Sequence, residues 1–141
     1  MTTIFSRIID GELPGQFVWS DDTCAAFLSI NPLGPGHTLV VPRQEIDQWI
    51  DAEPELMAHL TEVAYAIGEA IRSVYAPPRV GLVVAGFEVP HLHVHVFPAV
   101  NMRSFDFANA APGVEAAEQA RHRDALRAAL RVAGHAGTVP D

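Results

Sequence analysis

Between His91 and Pro98 the chain reads HLHVHVFP, with histidines at 91, 93 and 95 alternating with Leu92, Val94 and Val96. Side chains alternate across an extended strand, so the three imidazoles and Phe97 share one face while the aliphatics share the other. The aliphatic face belongs to a core. A row of imidazoles adds little to packing and repels if charged, so it calls for another reason. Three are open: ligation of a metal, acid–base or nucleophilic work on an anion, or a partly exposed polar surface. Alternate histidines can converge on zinc, with Cys24 or a carboxylate as a further ligand. No Cys-x-x-Cys or His-Glu-x-x-His spacing accompanies them.

The segments that must position this strand are legible in outline. Phe17 to Ser20 and Cys24 to Leu28 flank the turn formers Asp21-Asp22-Thr23 and predict a hairpin. Asn31-Pro32-Leu33-Gly34-Pro35-Gly36 predicts a loop. A strand follows from His37, stopped at Pro42, which has no N–H for a ladder. From Pro54 to Val74, Leu56, Leu60, Val63, Ile67, Ile71 and Val74 recur at helical spacing, with Pro54 tolerable in the first turn. Pro77-Pro78 breaks that helix, Val80 to Ala85 reads as a buried strand, and a turn at Gly86 leads into the histidine strand. Residues 101–113 read as irregular, with Phe105 and Phe107, and Val114 to Val132 as a helix ended near Gly134. Five mostly consecutive strands and two main helices predict an α+β fold: an antiparallel sheet, a long covering helix and a C-terminal helix.

The chain has 141 residues, 49% of them hydrophobic and 18% charged, enough to bury one core. Its formal net charge is −8 with no Lys/Arg stripe, which argues against nucleic acid as partner. A small anion would have to be held by local donors. No apolar run approaches the roughly 20 residues of a membrane span. The single cysteine, Cys24, and the lack of a basic leader before an apolar stretch lead us to expect a cytoplasmic protein.

A fourth histidine adds weight to work on an anion and leaves the other readings open. Pro35-Gly36-His37-Thr38-Leu39-Val40-Val41-Pro42 again places a histidine beside a short aliphatic strand, just after a glycine-bearing loop. Together PGHTLVVP and HLHVHVFP resemble the histidine triad (HIT) family of nucleotide-binding hydrolases and transferases, whose signature is His-φ-His-φ-His-φ-φ with φ hydrophobic. IFSRIIDGELP, DDTCAAFLSINPLGPGHTLVVP and EVPHLHVHVFP fall in the family's order, so the resemblance covers about residues 3–100. It implies a HIT domain over 1–100, a C-terminal extension over 101–141 packed on it, and a five-stranded antiparallel sheet.

The resemblance also implies an activity. The middle histidine, His93 here, would attack the α-phosphorus of a purine nucleoside 5′-monophosphate derivative to give a covalent nucleotidyl-histidine that water hydrolyses. His95, protonated, would help expel the leaving group, and His91 and His37 would orient the nucleophile. Backbone N–H groups around Glu88 and Val89 would hold phosphate, and Phe5, Ile8, Phe27, Leu28 and Ile30 would sandwich the base. No cofactor is required, and a homodimer is implied. Three departures stand out. Ser29 lies where relatives carry an Asp or Asn for the ribose hydroxyls, and a serine cannot hold both as a carboxylate does. The loop Ala85-Gly86-Phe87-Glu88 is short and lacks the usual Asn and Gln, with Asn101 or Arg103 as conceivable substitutes. Thr3, Ser6 and Glu45 replace the residues with which some relatives bind structural zinc, so no metal is expected. A nucleotide-binding module of weak turnover is the alternative these departures leave open.

Overall fold

The computed structural model describes residues 2–141. A short helix α1 (Ile4–Ile9) precedes the hairpin strands β1 (Phe17–Ser20) and β2 (Cys24–Leu28). Then come β3 (Thr38–Pro42), the long helix α2 (Pro54–Tyr75), β4 (Arg79–Val83), β5 (Val94–Ala99) and helix α3 (Ala116–Val132). The strands form one antiparallel sheet in the order β1-β2-β3-β5-β4. This is the α+β architecture expected from the strand and helix patterns.

Several boundaries differ from the sequence reading, each for a local reason. Helix α1 was not anticipated; Thr3 caps it by accepting from the Ser6 N–H at 3.1 Å. Strand β4 begins at Arg79 and ends at Val83, because register with β5 pairs Arg79 with Ala99 and Val83 with His95 and stops there. Helix α3 begins at Ala116 rather than Val114. Regular pairing of the histidine strand begins only at Val94, so His91, Leu92 and His93 lead into it. That lead-in is tied instead by the Leu92 N–H donating to the Ile46 carbonyl at 2.6 Å.

Strands β2, β3 and β5 are buried on both faces, whereas β4, expected as a buried strand, lies at the sheet edge with Leu82 53% exposed. On one side Val18, Ala26, Val40, Leu92, Val94 and Val96 meet Leu60, Val63, Ile67 and Ile71 of α2, and Leu126 and Leu130 of α3 join the same core. Burying one such side chain contributes about 1.5–3 kcal/mol, so α2 draws its stability from this face rather than from propensity. On the other side Phe5, Phe27, Leu39 and Val41 form a second cluster under α1. Among the described residues no helix is long and apolar enough to cross a membrane.

The hairpin is fastened to α2 through Asp21. Its Oδ1 accepts from the Thr23 and Cys24 N–H groups and its Oδ2 from Trp19 Nε1, all at 2.8 Å, with His59 Nε2 of α2 also at 2.8 Å. Burial alone would raise the Asp21 pKa, but these hydrogen bonds outweigh it and hold it at about 2, below the ordinary 3.8. Cys24, with Sγ 3.7 Å from Asp21 Oδ2, is driven the other way: burial and the adjacent carboxylate push its thiol to about 12. Asp21, Cys24 and His59 lie close enough to hold a cation, yet a thiol so reluctant to ionise is a poor ligand. Because the folded pKa of Asp21 is depressed, its contribution is present above about pH 4 and lost as pH falls through about 2. Asp21→Ala should cost about 1–3 kcal/mol in urea denaturation at pH 7, a deficit that narrows between pH 4 and pH 2. A deficit that stays constant over that range would contradict the assignment.

Candidate active site

Strand β5 and its lead-in bring the three histidines to the face opposite α2, where they are almost wholly buried: His91 is 0% exposed, His93 5% and His95 8%. His37, 1% exposed, comes from the start of β3. Its placement depends on Gly36, which sits at φ 79°, where a Cβ would meet the Tyr75 ring at 2.5 Å. Phe5, His93, His95 and Phe107 form a row of edge-to-face rings, with successive centroids 4.9, 4.8 and 4.8 Å apart.

Backbone groups determine where each ring carries its proton. His93 Nδ1 lies 2.7 Å from the His91 carbonyl oxygen, which can only accept, so His93 donates from Nδ1. Its Nε2 is left with a lone pair when the ring is neutral. The Leu33 N–H donates to His37 Nδ1 at 2.9 Å, which places the His37 proton on Nε2. That Nε2 is 2.9 Å from His95 Nδ1 and donates to it, so neutral His95 carries its own proton on Nε2. Two adjacent rings thus differ in function at the same atom: His93 Nε2 is a lone pair and His95 Nε2 an N–H donor.

The environment keeps these rings neutral. Burial lowers the His37 pKa to about 3, aided by the neighbouring His95 and His93 rings, and burial with His93 nearby lowers that of His95 to about 4. His93 is lowered by burial too, partly countered by its bond to the His91 carbonyl. The imidazolium expected at His95 is therefore not the resting form. A proton added at its Nδ1 would oppose the N–H that His37 already points there.

His91 itself does not reach the cavity. Its Nε2 donates to the Pro42 carbonyl at 2.7 Å and its Nδ1 lies 2.6 Å from Thr3 Oγ1. Ser6 Oγ donates to Glu45 Oε1 at 2.6 Å, and the Thr3 N–H donates to the same oxygen at 3.1 Å. Thr3, Ser6, Glu45 and His91 therefore meet as one hydrogen-bonded group. Two hydroxyls, a carboxylate and one engaged imidazole nitrogen do not fit the thiolate and imidazole set that structural zinc prefers. The triad is no better suited to a metal, since the Nδ1 atoms of His93 and His95 and both nitrogens of His91 are already engaged.

A cavity of about 640 Å³ opens in front of His93 and His95. His37, Phe5, Ile8, Phe27, Leu28, Ser29, Ile30, Glu88 and Val89 also line it. Leu28 divides its contacts between the α2 core and the cavity, and Ile30 is 77% exposed at the rim. Asn101 and Arg103 stay outside; the Asn101 side chain accepts from the Arg103 N–H in an exposed turn. Among the lining residues that the sequence reading did not single out are Phe107 and Gln119, both beyond residue 100. Phe107 had a signal, an aromatic in an otherwise irregular stretch. Gln119 had a subtler one: it shares the buried face of α3 with Leu126 and Leu130, where a polar residue is unexpected.

Comparison with known proteins agrees with this geometry. The HIT domain family matches residues 10–102. An uncharacterised HIT-like protein of Borreliella burgdorferi is 34% identical over 111 residues, covering 74% of this chain and 80% of that one. The crystal structure of a hypothetical histidine triad nucleotide-binding protein from Sulfolobus tokodaii superposes with a TM-score of 0.80 at 27% identity, covering 91% of each chain. A HIT family hydrolase from Legionella pneumophila superposes with a TM-score of 0.63 at 28% identity, covering 72% of this chain and 96% of the other. With the family's domain matched across the whole sheet and His93 and His95 of the alternating trio lining one cavity with His37, the chain belongs to the HIT family.

Proposed function

We propose that this protein is a hydrolase that cleaves the bond between the α-phosphorus and its leaving group in purine nucleoside 5′-monophosphate derivatives, phosphoramidates among them. One observation carries the reading: the His91 carbonyl leaves the His93 lone pair on Nε2, at the cavity. In the first step His93 Nε2 bonds to phosphorus as the bond to the leaving nitrogen breaks, and that nitrogen takes a proton from solvent and departs as an amine, the proton being returned when water is later consumed. The ring becomes cationic, and the His91 carbonyl stabilises the charge through Nδ1–H. Water then attacks phosphorus, the phosphorus–Nε2 bond breaks, and loss of the water's proton returns a neutral His93 with the nucleoside monophosphate as product.

The other groups support this sequence. His95 donates its Nε2–H to a phosphoryl oxygen, which a neutral ring can do without paying for a buried charge. Backbone N–H groups near Glu88 and Val89 supply further donors, and Phe5, Ile8 and Phe27 offer apolar walls to a purine. Neutral donors hold the anion, which reconciles phosphate binding with a net charge of −8. No cofactor enters these steps. Strand β4 is an edge strand whose Leu82 is 53% exposed, and pairing with a second copy there, in a cytoplasmic homodimer, fits the family.

Incubation with adenosine 5′-phosphoramidate should yield AMP and a transient adenylyl adduct on His93, detected by mass spectrometry after acid-free quenching. His93→Ala should abolish the adduct and lower kcat/KM by about a thousandfold or more, whereas chelator should leave the wild type unchanged. AMP binding without any adduct would instead favour the non-turnover module, a reading that the exposed Glu88 carboxylate beside His93 keeps specific.

The depressed histidine pKa values set the pH dependence. Protonation removes the nucleophile only below the folded pKa of His93, which lies under the ordinary 6.5, and His95 follows near 4. The kcat/KM of the free enzyme should stay level as pH falls from about 7.5 to 6.5 and decline only below that. An acid limb centred at or above pH 6.5 would contradict a neutral, buried nucleophile.

A further inference from the structure

Helix α3 is stitched to the sheet by three side chains spaced one turn apart. Arg127 Nε donates to the Phe17 carbonyl at 2.7 Å, Arg123 Nη1 to Gln16 Oε1 at 2.7 Å, and Gln119 Nε2 to the Ser29 carbonyl at 2.8 Å. The arginines are donors only, and these contacts account for their place in the row. Gln119 is different. It is 8% exposed, it carries an acceptor as well as donors, and it lines the cavity. Its Oε1 makes no hydrogen bond among the described residues, and no side-chain polar atom there is both sealed from solvent and unbonded. An amide on the buried face of a helix, bonded at one end and open at the other only to the cavity, is placed to bond whatever enters there.

Ser29 sits beside it at the end of β2. Its Oγ accepts only a long bond, 3.3 Å, from the Asn31 N–H, so its hydroxyl proton is free to donate. The bond from Gln119 to the Ser29 carbonyl ties the two side chains to one short stretch of backbone. One presents an acceptor and the other a donor to the same end of the cavity. A vicinal diol needs that pair: one hydroxyl gives its proton to an acceptor while its neighbour receives one.

We propose that Gln119, together with Ser29, recognises the 2′,3′-diol of the substrate's ribose, so that two neutral side chains from separate elements do what a single serine cannot. The assignment rests on the nucleotide reading of the cavity. It gives the segment beyond residue 100 a function: α3 supplies a specificity-determining residue as well as packing. It also keeps a further carboxylate away from the phosphate in a protein already rich in negative charge.

The test compares adenosine 5′-phosphoramidate with its 2′-deoxy and 3′-deoxy counterparts. Wild type should prefer the ribo substrate in kcat/KM by about tenfold, and Gln119→Met, close in volume but lacking both amide atoms, should bring that ratio toward one. Gln119→Ala, in a good helix former, is the second variant should Met perturb packing, and thermal unfolding of each reports on the fold. A ratio near one in wild type, or a ratio kept by folded Gln119→Met or Gln119→Ala, would overturn the proposal. Should no phosphoramidate be turned over, the proposed reaction fails but the diol assignment stays testable. Calorimetric affinities for AMP against 2′-deoxy-AMP then read the same ratio in wild type and variants.

Discussion

The hydrogen bond from His93 Nδ1 to the His91 carbonyl, 2.7 Å long, is the contact on which the site depends. A carbonyl cannot donate, so it leaves only one arrangement of a neutral ring. The Leu33 N–H cannot accept, and through His37 it dictates the His95 proton in the same way. Two backbone groups of opposite character thereby make neighbouring, chemically identical rings into a lone pair and a donor. Much of the surrounding structure serves to keep the first of these groups still. The His91 ring is clamped between Pro42 at the end of β3 and Thr3 at the head of α1, and Leu92 is tied to Ile46.

Thr3, Ser6 and Glu45 give that clamp its chemistry. They connect α1, the segment after β3 and His91 through hydroxyl and carboxylate bonds of 2.6–3.1 Å. A metal could draw the same elements together with four strong ligand bonds, but thiolates and imidazoles would be needed for zinc. Oxygen donors accomplish the tie with directional bonds individually worth about 1 kcal/mol, and more where the carboxylate takes part. The connection is therefore cooperative within a small group rather than dependent on an ion.

Burial of the histidines carries a cost. Below the ordinary histidine pKa of 6.5 an unfolded chain takes up protons that His37, His93 and His95 refuse while folded. Stability therefore declines as pH falls through that range. What offsets the cost is packing around the imidazoles. Phe5 covers His93, and Phe107 covers His95 at 4.8 Å between ring centroids. Phe107 is delivered by a turn whose Phe105 packs on Phe97. That contact needs Gly81, where a Cβ would lie 2.6 Å from the Phe97 ring. A glycine on β4 thus contributes to the environment of a histidine on β5.

Local pattern was enough to place the elements that repeat. Alternation in HLHVHVFP put the imidazoles and the aliphatics on opposite faces, apolar spacing located α2 almost to its ends, and the DDT turn marked the hairpin. Helix α1 is six residues long, too short for periodicity to register, and its cap is part of the His91 clamp. The four histidines and several apolar residues that line the cavity were readable because their types and order follow a motif. Their proton positions were not, since a tautomer depends on which backbone group lies opposite the ring, and Leu33 and His91 acquire that role only when loop and strand meet. Phe107 and Gln119 were hidden for the same reason: they reach the cavity across long stretches of chain, and only the packing of α3 and of the turn before it decides what they face. The sequence by itself determined which chemical groups the protein possesses and the strand that aligns them. Tertiary structure decided which nitrogen is free, because hydrogen-bond direction is a property of neighbours in space.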